Sequence, residues 1–210
     1  MIELALLANR LAERLKFPLP GSAAHEPLRA TPLGDLRPKF DHKVAPRPGS
    51  VLILLYEENG QIKFPLTKRP DYTGTHAGQV SLPGGKAEAG EDFIQTALRE
   101  TEEEIGVPRN RVKVIGRLSD FFVIPSNFMI TPVVGYTSPK PEFVPQESEV
   151  VKILAGNLST LLSDDAIQIK EILAAKTYRL MAPHFLIENE VVWGATAMML
   201  NELRTVLREL

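Results

Sequence analysis

GKAEAGEDFIQTALRETEEEIGV, residues Gly85 to Val107, decides how this chain is read. Five residues separate Gly85 from Glu91, and seven separate Glu91 from Arg99. Phe93, Ile94, Ala97, Leu98 and Ile105 recur at three- and four-residue intervals, predicting an amphipathic helix from about Glu91 to Ile105. Glu91 and Asp92 fall in its first turn, where acidic groups suit the positive end of the helix dipole. Gly106 followed by Val107 and Pro108 marks its end. Glu100, Glu103 and Glu104 stand at i, i+3 and i+4, so their carboxylates share one face. Like charges at that spacing repel by a few tenths of a kcal/mol per pair. A hard divalent cation offsets this, because Mg²⁺ favours oxygen ligands.

A Glu-rich helical run alone reads as a solvated acidic face. Here the run follows Pro83-Gly84-Gly85, a tight turn that offers a backbone carbonyl to a metal. Glu91 and Arg99 are spaced to form an ion pair bracing that turn against the helix. The joint pattern resembles the Nudix box: Gly, five residues, Glu, seven residues, Arg-Glu, an aliphatic residue, any residue, Glu-Glu, any residue, Gly and an apolar residue. Thr101 departs from it at the aliphatic position, but Thr is nearly isosteric with Val. The resemblance implies that Glu100, Glu103 and Glu104 hold Mg²⁺ or Mn²⁺ and carry catalysis, with the Gly85 carbonyl as a further ligand. It makes Glu91 and Arg99 braces, and Arg99 with the three glutamates the catalytic set.

Segments around the box narrow the resemblance to the coenzyme A diphosphatase subfamily. These are Leu66 to Arg69 with His76 to Gly85, Pro125 to Phe128 with Ile130 to Gly135, and Trp193 to Ala197. The implied reaction is hydrolysis of the diphosphate in CoA or an acyl-CoA, giving 3′,5′-ADP and 4′-phosphopantetheine. Departures from the subfamily are Pro70 for Ser, Leu82 for Phe and Gly74 for a second Arg. Arg is the side chain best suited to bidentate phosphate contact, so Gly74 bears on substrate more than on catalysis. Arg69, Lys68, His76 and Lys86 are the remaining candidates for phosphate contact. Glu147 and Glu149, on a later loop, are candidates for the general base alongside a box glutamate. Two other readings keep the box. One is a Nudix hydrolase of ADP-ribose or another nucleoside diphosphate derivative. The other is a non-catalytic Nudix module that senses a ligand.

The chain has 210 residues, 44% hydrophobic and 24% charged, as expected of a globular protein with a substantial core. A net charge of −2 without a long basic run argues against a nucleic-acid partner. The absence of cysteine excludes disulfides, thiolate metal sites and cysteine nucleophiles. No apolar stretch approaches the ~18 residues of a membrane span, and the N-terminus lacks signal-peptide features, so a cytoplasmic location is expected.

Ile2 to Leu15 reads as an amphipathic helix striped by Leu4, Leu7, Leu11 and Leu15, packing on the domain or on the partner subunit of a homodimer. Seven of the 17 prolines lie between residues 17 and 49, which predicts an extended, wrapping segment. We therefore divide the chain into 1–49, a helix and proline-rich wrap, and 50–210, the hydrolase domain. Within it, strands are expected at Ser50 to Tyr56, Ile62 to Lys68, Val112 to Leu118, Phe121 to Ile124 and Phe128 to Tyr136. A strand and helical turn share Val150 to Leu162, and short strands follow at Thr177 to Met181, His184 to Ile187 and Val191 to Trp193. A helix from Ala195 to Leu210 closes the chain, turning Met199, Leu203, Val206 and Leu210 inward. The fold class is α/β: an α/β/α sandwich with a mixed sheet and the box helix on one face.

Overall fold

The computed structural model describes residues 3–37, 39–71 and 78–210. Its first part holds α1 (Leu4–Arg14), α2 (Ser22–His25), β1 (Thr31–Pro32), β2 (Arg47–Glu58) and β3 (Gln61–Lys68). Next come β4 (Val80–Ser81), β5 (Gly84–Lys86), α3 (Phe93–Ile105), β6 (Lys113–Arg117), β7 (Phe121–Val123) and β8 (Phe128–Tyr136). The last part holds β9 (Lys152–Asn157), α4 (Leu158–Leu162), β10 (Ile167–Ala174), β11 (Tyr178–Ile187), β12 (Glu190–Trp193) and α5 (Gly194–Leu207).

β2 is the axis of the larger sheet. It runs parallel to β8 from Arg47↔Phe128 to Leu55↔Tyr136. At its start it pairs antiparallel with β5, Ser50 opposite Gly85. At its end it turns through Asn59 and Gly60 into β3, which leaves to pair antiparallel with β9. The sheet is therefore mixed, as expected. A smaller antiparallel sheet orders β1, β11 and β10, with β12 also on β11.

Alternate residues of β2 feed two cores. Leu52 and Leu54 pack with Ala97 and Ile105 of α3. Val51, Ile53 and Leu55 share the other core with Met199, Leu203 and Val206 of α5. Complete burial of each such aliphatic side chain contributes about 1.5–3 kcal/mol. Helices thus cover both faces of the sheet. Leu4, Leu7, Leu11 and Leu28 of the N-terminal region join the α5-side core.

The structure corrects the sequence reading in four places. Pro83-Gly84-Gly85 is more than a turn, because Gly84–Lys86 forms a strand on β2. Asp92 caps α3 from outside its first turn, accepting from the Gln95 N–H while the Gln95 side chain accepts from the Asp92 N–H. β10 occupies a stretch left unassigned by the sequence patterns. The two short strands expected at Thr177 to Met181 and His184 to Ile187 are one strand, β11.

Candidate active site and metal centre

α3 is positioned by its ends. The Asp92–Gln95 capping box fixes its start, and Gly106, with φ of 73°, closes it in the left-handed conformation that glycine tolerates best. Glu91 and Arg99 meet as expected. Arg99 Nε donates to Glu91 Oε1 at 2.7 Å and Arg99 Nη2 to Glu91 Oε2 at 3.0 Å. Arg99 Nη2 also donates to the Lys86 carbonyl at 3.0 Å, tying the helix to β5. Glu91 further accepts from the Glu88 N–H and Thr96 Oγ1, each at 3.0 Å. The guanidinium contact, followed by these hydrogen bonds, holds the Glu91 carboxyl down at about 2.

Arg99 serves the expected ligands as well. Its Nη1 donates to Glu100 Oε1 at 2.8 Å and to Glu103 Oε2 at 2.9 Å. Glu100 lies against β5 so closely that a β-carbon on Gly85 would sit 2.5 Å from its Cδ and 2.6 Å from both oxygens. Burial raises the Glu100 carboxyl; Arg99 opposes this, while Glu103 and Glu149 add to it. Glu104 is 4% exposed. It accepts from the Gly84 N–H at 3.3 Å and lies 3.9 Å from Arg69 Nη2. Burial is the main cause that lifts its carboxyl to about 7, against the pull of Arg69 and the Gly84 N–H.

Glu149 raises both Glu100 and Glu104 through its charge. Its loop is pinned to the end of α3, where the Ile105 carbonyl accepts from Val144 N–H at 3.0 Å and the Glu104 carbonyl from Gln146 N–H at 2.9 Å. No sequence signal marks this tether, which rests on backbone groups. Arg69 is brought to the site. Lys86 contributes its carbonyl to the brace, and its side chain is exposed. His76 and Gly74 lie outside the described residues.

Among the described residues, no three His, Asp or Glu side chains converge into a preformed cage. The residues nevertheless fit a hard divalent cation. The donors are carboxylate oxygens, and a glycine stands where any side chain would displace Glu100. Glu91, Glu100, Glu103, Glu104 and Glu149 also outnumber Arg69 and Arg99, leaving surplus negative charge around a buried carboxylate.

The family model for the NUDIX domain matches residues 46–170, which include all of these groups. This chain belongs to the Nudix family. It is 32% identical over 173 residues to an uncharacterized Nudix hydrolase, NudL, of Salmonella dublin, covering 80% of this chain and 87% of that one. It is 31% identical over 173 residues to Nudix hydrolase 3 of Caenorhabditis elegans, covering 75% of this chain and 72% of the relative. A crystal structure of a Nudix hydrolase from M. smegmatis, RenU, matches with a TM-score of 0.56 at 16% identity. That match covers 80% of this chain and 89% of the other, and it speaks to the fold alone. The protein is a Nudix hydrolase with the α/β fold of its family.

Proposed function

We propose that this Nudix hydrolase cleaves the diphosphate of coenzyme A or an acyl-CoA to 3′,5′-ADP and 4′-phosphopantetheine. One observation supports the reading: segments resembling CoA diphosphatases, far apart in sequence, meet around β2, with Phe128 to Gly135 on one flank and Gly84 and Gly85 on the other. Phe128 and Ile130 lie beside Gly49, whose neighbour across the ladder is β5. Thr196 Oγ1 donates to the Val80 carbonyl at 3.2 Å, tying the first turn of α5 to the segment that leads into Gly84 and Gly85. The cysteine-free composition suits the cytoplasmic location expected from the sequence.

Glu100, Glu103 and Glu104 with the Gly85 carbonyl are the residues that would hold Mg²⁺ or Mn²⁺. Such an ion neutralises phosphoryl oxygens and lowers the pKa of attacking water. Arg99 and Glu91 keep the carboxylates against β5. Arg69 presents a cation to the diphosphate from beside Glu104. Glu149 and Glu147, on the loop that Val144 and Gln146 pin to the end of α3, remain with the box glutamates the candidates for the base that accepts the proton of the attacking water.

Gly74, where the subfamily has Arg, favours a second reading: hydrolysis of ADP-ribose or another nucleoside diphosphate derivative. A panel of CoA, acyl-CoA, NADH, ADP-ribose and diadenosine polyphosphates, assayed with Mg²⁺ and with Mn²⁺, separates the two. CoA or an acyl-CoA is expected to give the highest kcat/KM. Brisk cleavage of ADP-ribose with no cleavage of CoA or acyl-CoA would overturn the CoA reading.

A further inference from the structure

A pocket opens on the α3 side of the sheet, farther along β2 than the carboxylates. Leu52 and Leu54 pack against α3, and Tyr56 and Glu58 follow them on the same face of β2. Ile153 of β9 packs with the same group, and Ala155 follows it on that face. With Phe143 and Pro145 these residues line a space of about 270 Å³. Its loop wall is the tether at the end of α3: Val144, between Phe143 and Pro145, is the residue whose N–H donates to the Ile105 carbonyl.

Tyr56 is 2% exposed, and its hydroxyl has no hydrogen-bond partner among the described residues. Burial, then the charges of Glu58 and Glu188, push that hydroxyl up to about 12, so it stays neutral and keeps both a donor and an acceptor. A buried hydroxyl without a partner is a standing cost that a polar group of a ligand removes. The Tyr56 ring meets Phe143 edge to face, with 5.2 Å between centroids. The lysines around the pocket are engaged: Lys63 Nζ donates to Glu58 Oε2 at 2.7 Å, Lys140 Nζ donates to Glu58 Oε1, and Lys152 Nζ lies 2.9 Å from Glu188 Oε2. The interior therefore offers apolar walls and a neutral hydroxyl, and a phosphate would have to displace a carboxylate to gain a cation there.

We propose that this pocket takes the pantetheine arm of the substrate, with Tyr56 Oη bonded to one of its amides and Phe143, Pro145, Ile153 and Ala155 against its methyl and methylene groups. This rests on the CoA reading of the catalytic site. Arg69, 3.9 Å from Glu104, marks the diphosphate end. Along β3, Ile153 stands opposite Thr67 and Tyr56 opposite Lys63, two and six residues before Arg69. At ~3.3 Å per residue the pocket runs from about 7 to about 20 Å from Arg69. The arm has about thirteen bonds from phosphorus to sulfur, and an extended chain gains about 3.3–3.6 Å per three bonds, so it reaches about 14–16 Å. Both amides then fall within the pocket. The 3′-phosphate end of CoA, which calls for cations, is disfavoured there because the lysines are already paired.

Calorimetric binding of 4′-phosphopantetheine and of 3′,5′-ADP to the full chain in Ca²⁺ reads the two halves of the substrate separately. Tyr56→Phe deletes the hydroxyl alone. It should weaken 4′-phosphopantetheine by about 2–10-fold, the yield of one neutral hydrogen bond. It should leave 3′,5′-ADP unchanged and hold Tm, because no partner within the protein is lost. Ala155→Leu, which fills the pocket from β9, should weaken 4′-phosphopantetheine by about tenfold or more and again spare 3′,5′-ADP. Unchanged affinity for 4′-phosphopantetheine in both variants, or an equal loss for both ligands, would overturn the pocket. So would a loss confined to 3′,5′-ADP, which would place the nucleoside there. The CoA reading is decided separately by the substrate panel. CoA cleavage by a wild type that does not bind 4′-phosphopantetheine would overturn the pocket alone. Binding of 4′-phosphopantetheine that both variants weaken, with turnover confined to ADP-ribose, would leave the pocket standing and remove CoA as the substrate.

Discussion

Glu104 Oε2 accepts from the Gly84 N–H at 3.3 Å, a long bond for a carboxylate that is 4% exposed. Little else compensates its burial, and Arg69 is no nearer than 3.9 Å. Its folded-state carboxyl is raised to about 7 from an ordinary 4.5. A raised carboxyl stabilises the fold fully below the unfolded value, and that contribution is lost as pH rises through the folded value. In the presence of a chelator the protein should therefore lose stability between about pH 4.5 and 7. The span corresponds to about 3 kcal/mol at most. Glu104→Gln should raise Tm at pH 8 and flatten the profile between pH 5 and 8. A mutant as pH-sensitive as wild type would show that the destabilising charge lies elsewhere.

The same substitution should be severe for catalysis. Glu103→Gln and Glu104→Gln should each lower kcat by at least ~100-fold at saturating Mg²⁺, as expected when a catalytic charge centre is disrupted. Circular dichroism should show both folds intact. Near-wild-type turnover in both would refute the ligand assignment.

Arg99 joins three carboxylates and a carbonyl, so its loss should loosen the whole arrangement. Arg99→Ala should weaken Mn²⁺ affinity by about 10–100-fold, the usual penalty for removing an outer partner of metal ligands. Glu91→Gln should act in the same direction by less. Titration of Mn²⁺ by calorimetry measures both, and unchanged affinity in Arg99→Ala would dismiss the brace as a contributor to metal binding.

Two adjacent glycines should separate folding from function. A β-carbon on Gly84 would sit 2.3 Å from the Ser50 carbonyl oxygen, at φ of 152°, where backbone cannot yield. Gly84→Ala should lower Tm by about 5 °C or more, as overpacking does. On Gly85 the β-carbon meets the far end of the flexible Glu100 side chain. Gly85→Ala should keep Tm within about 3 °C of wild type and lose roughly tenfold or more in Mn²⁺ affinity. Equal loss of Tm in the two mutants would contradict this division.

The box helix, its stop at Gly106 and the Glu91–Arg99 pair were legible because each rests on local spacing. The tether of Val144 and Gln146 to the end of α3 was not, since backbone hydrogen bonds leave no side-chain signature. β10 escaped because Ile169 and Leu173 are exposed, so its apolar residues follow no buried face. Pro183 falls between the two short strands expected from the sequence, and in β11 it sits where β1 has ended and β12 has not begun. One side of the strand is open there, and the missing N–H leaves no ladder bond unmade on that side.

The participation of Leu4, Leu7, Leu11 and Leu28 in the core beneath α5 has a practical consequence. The family-matched stretch, 46–170, stops inside β10 and would discard β11, α5 and every one of those leucines. A fragment cut to that stretch would expose Ile53, Leu55 and Phe64 to water and leave half a hairpin with an open edge. The catalytic signature is therefore shorter than the smallest piece able to support it, and grafting or minimising this enzyme has to retain the chain from α1 to α5.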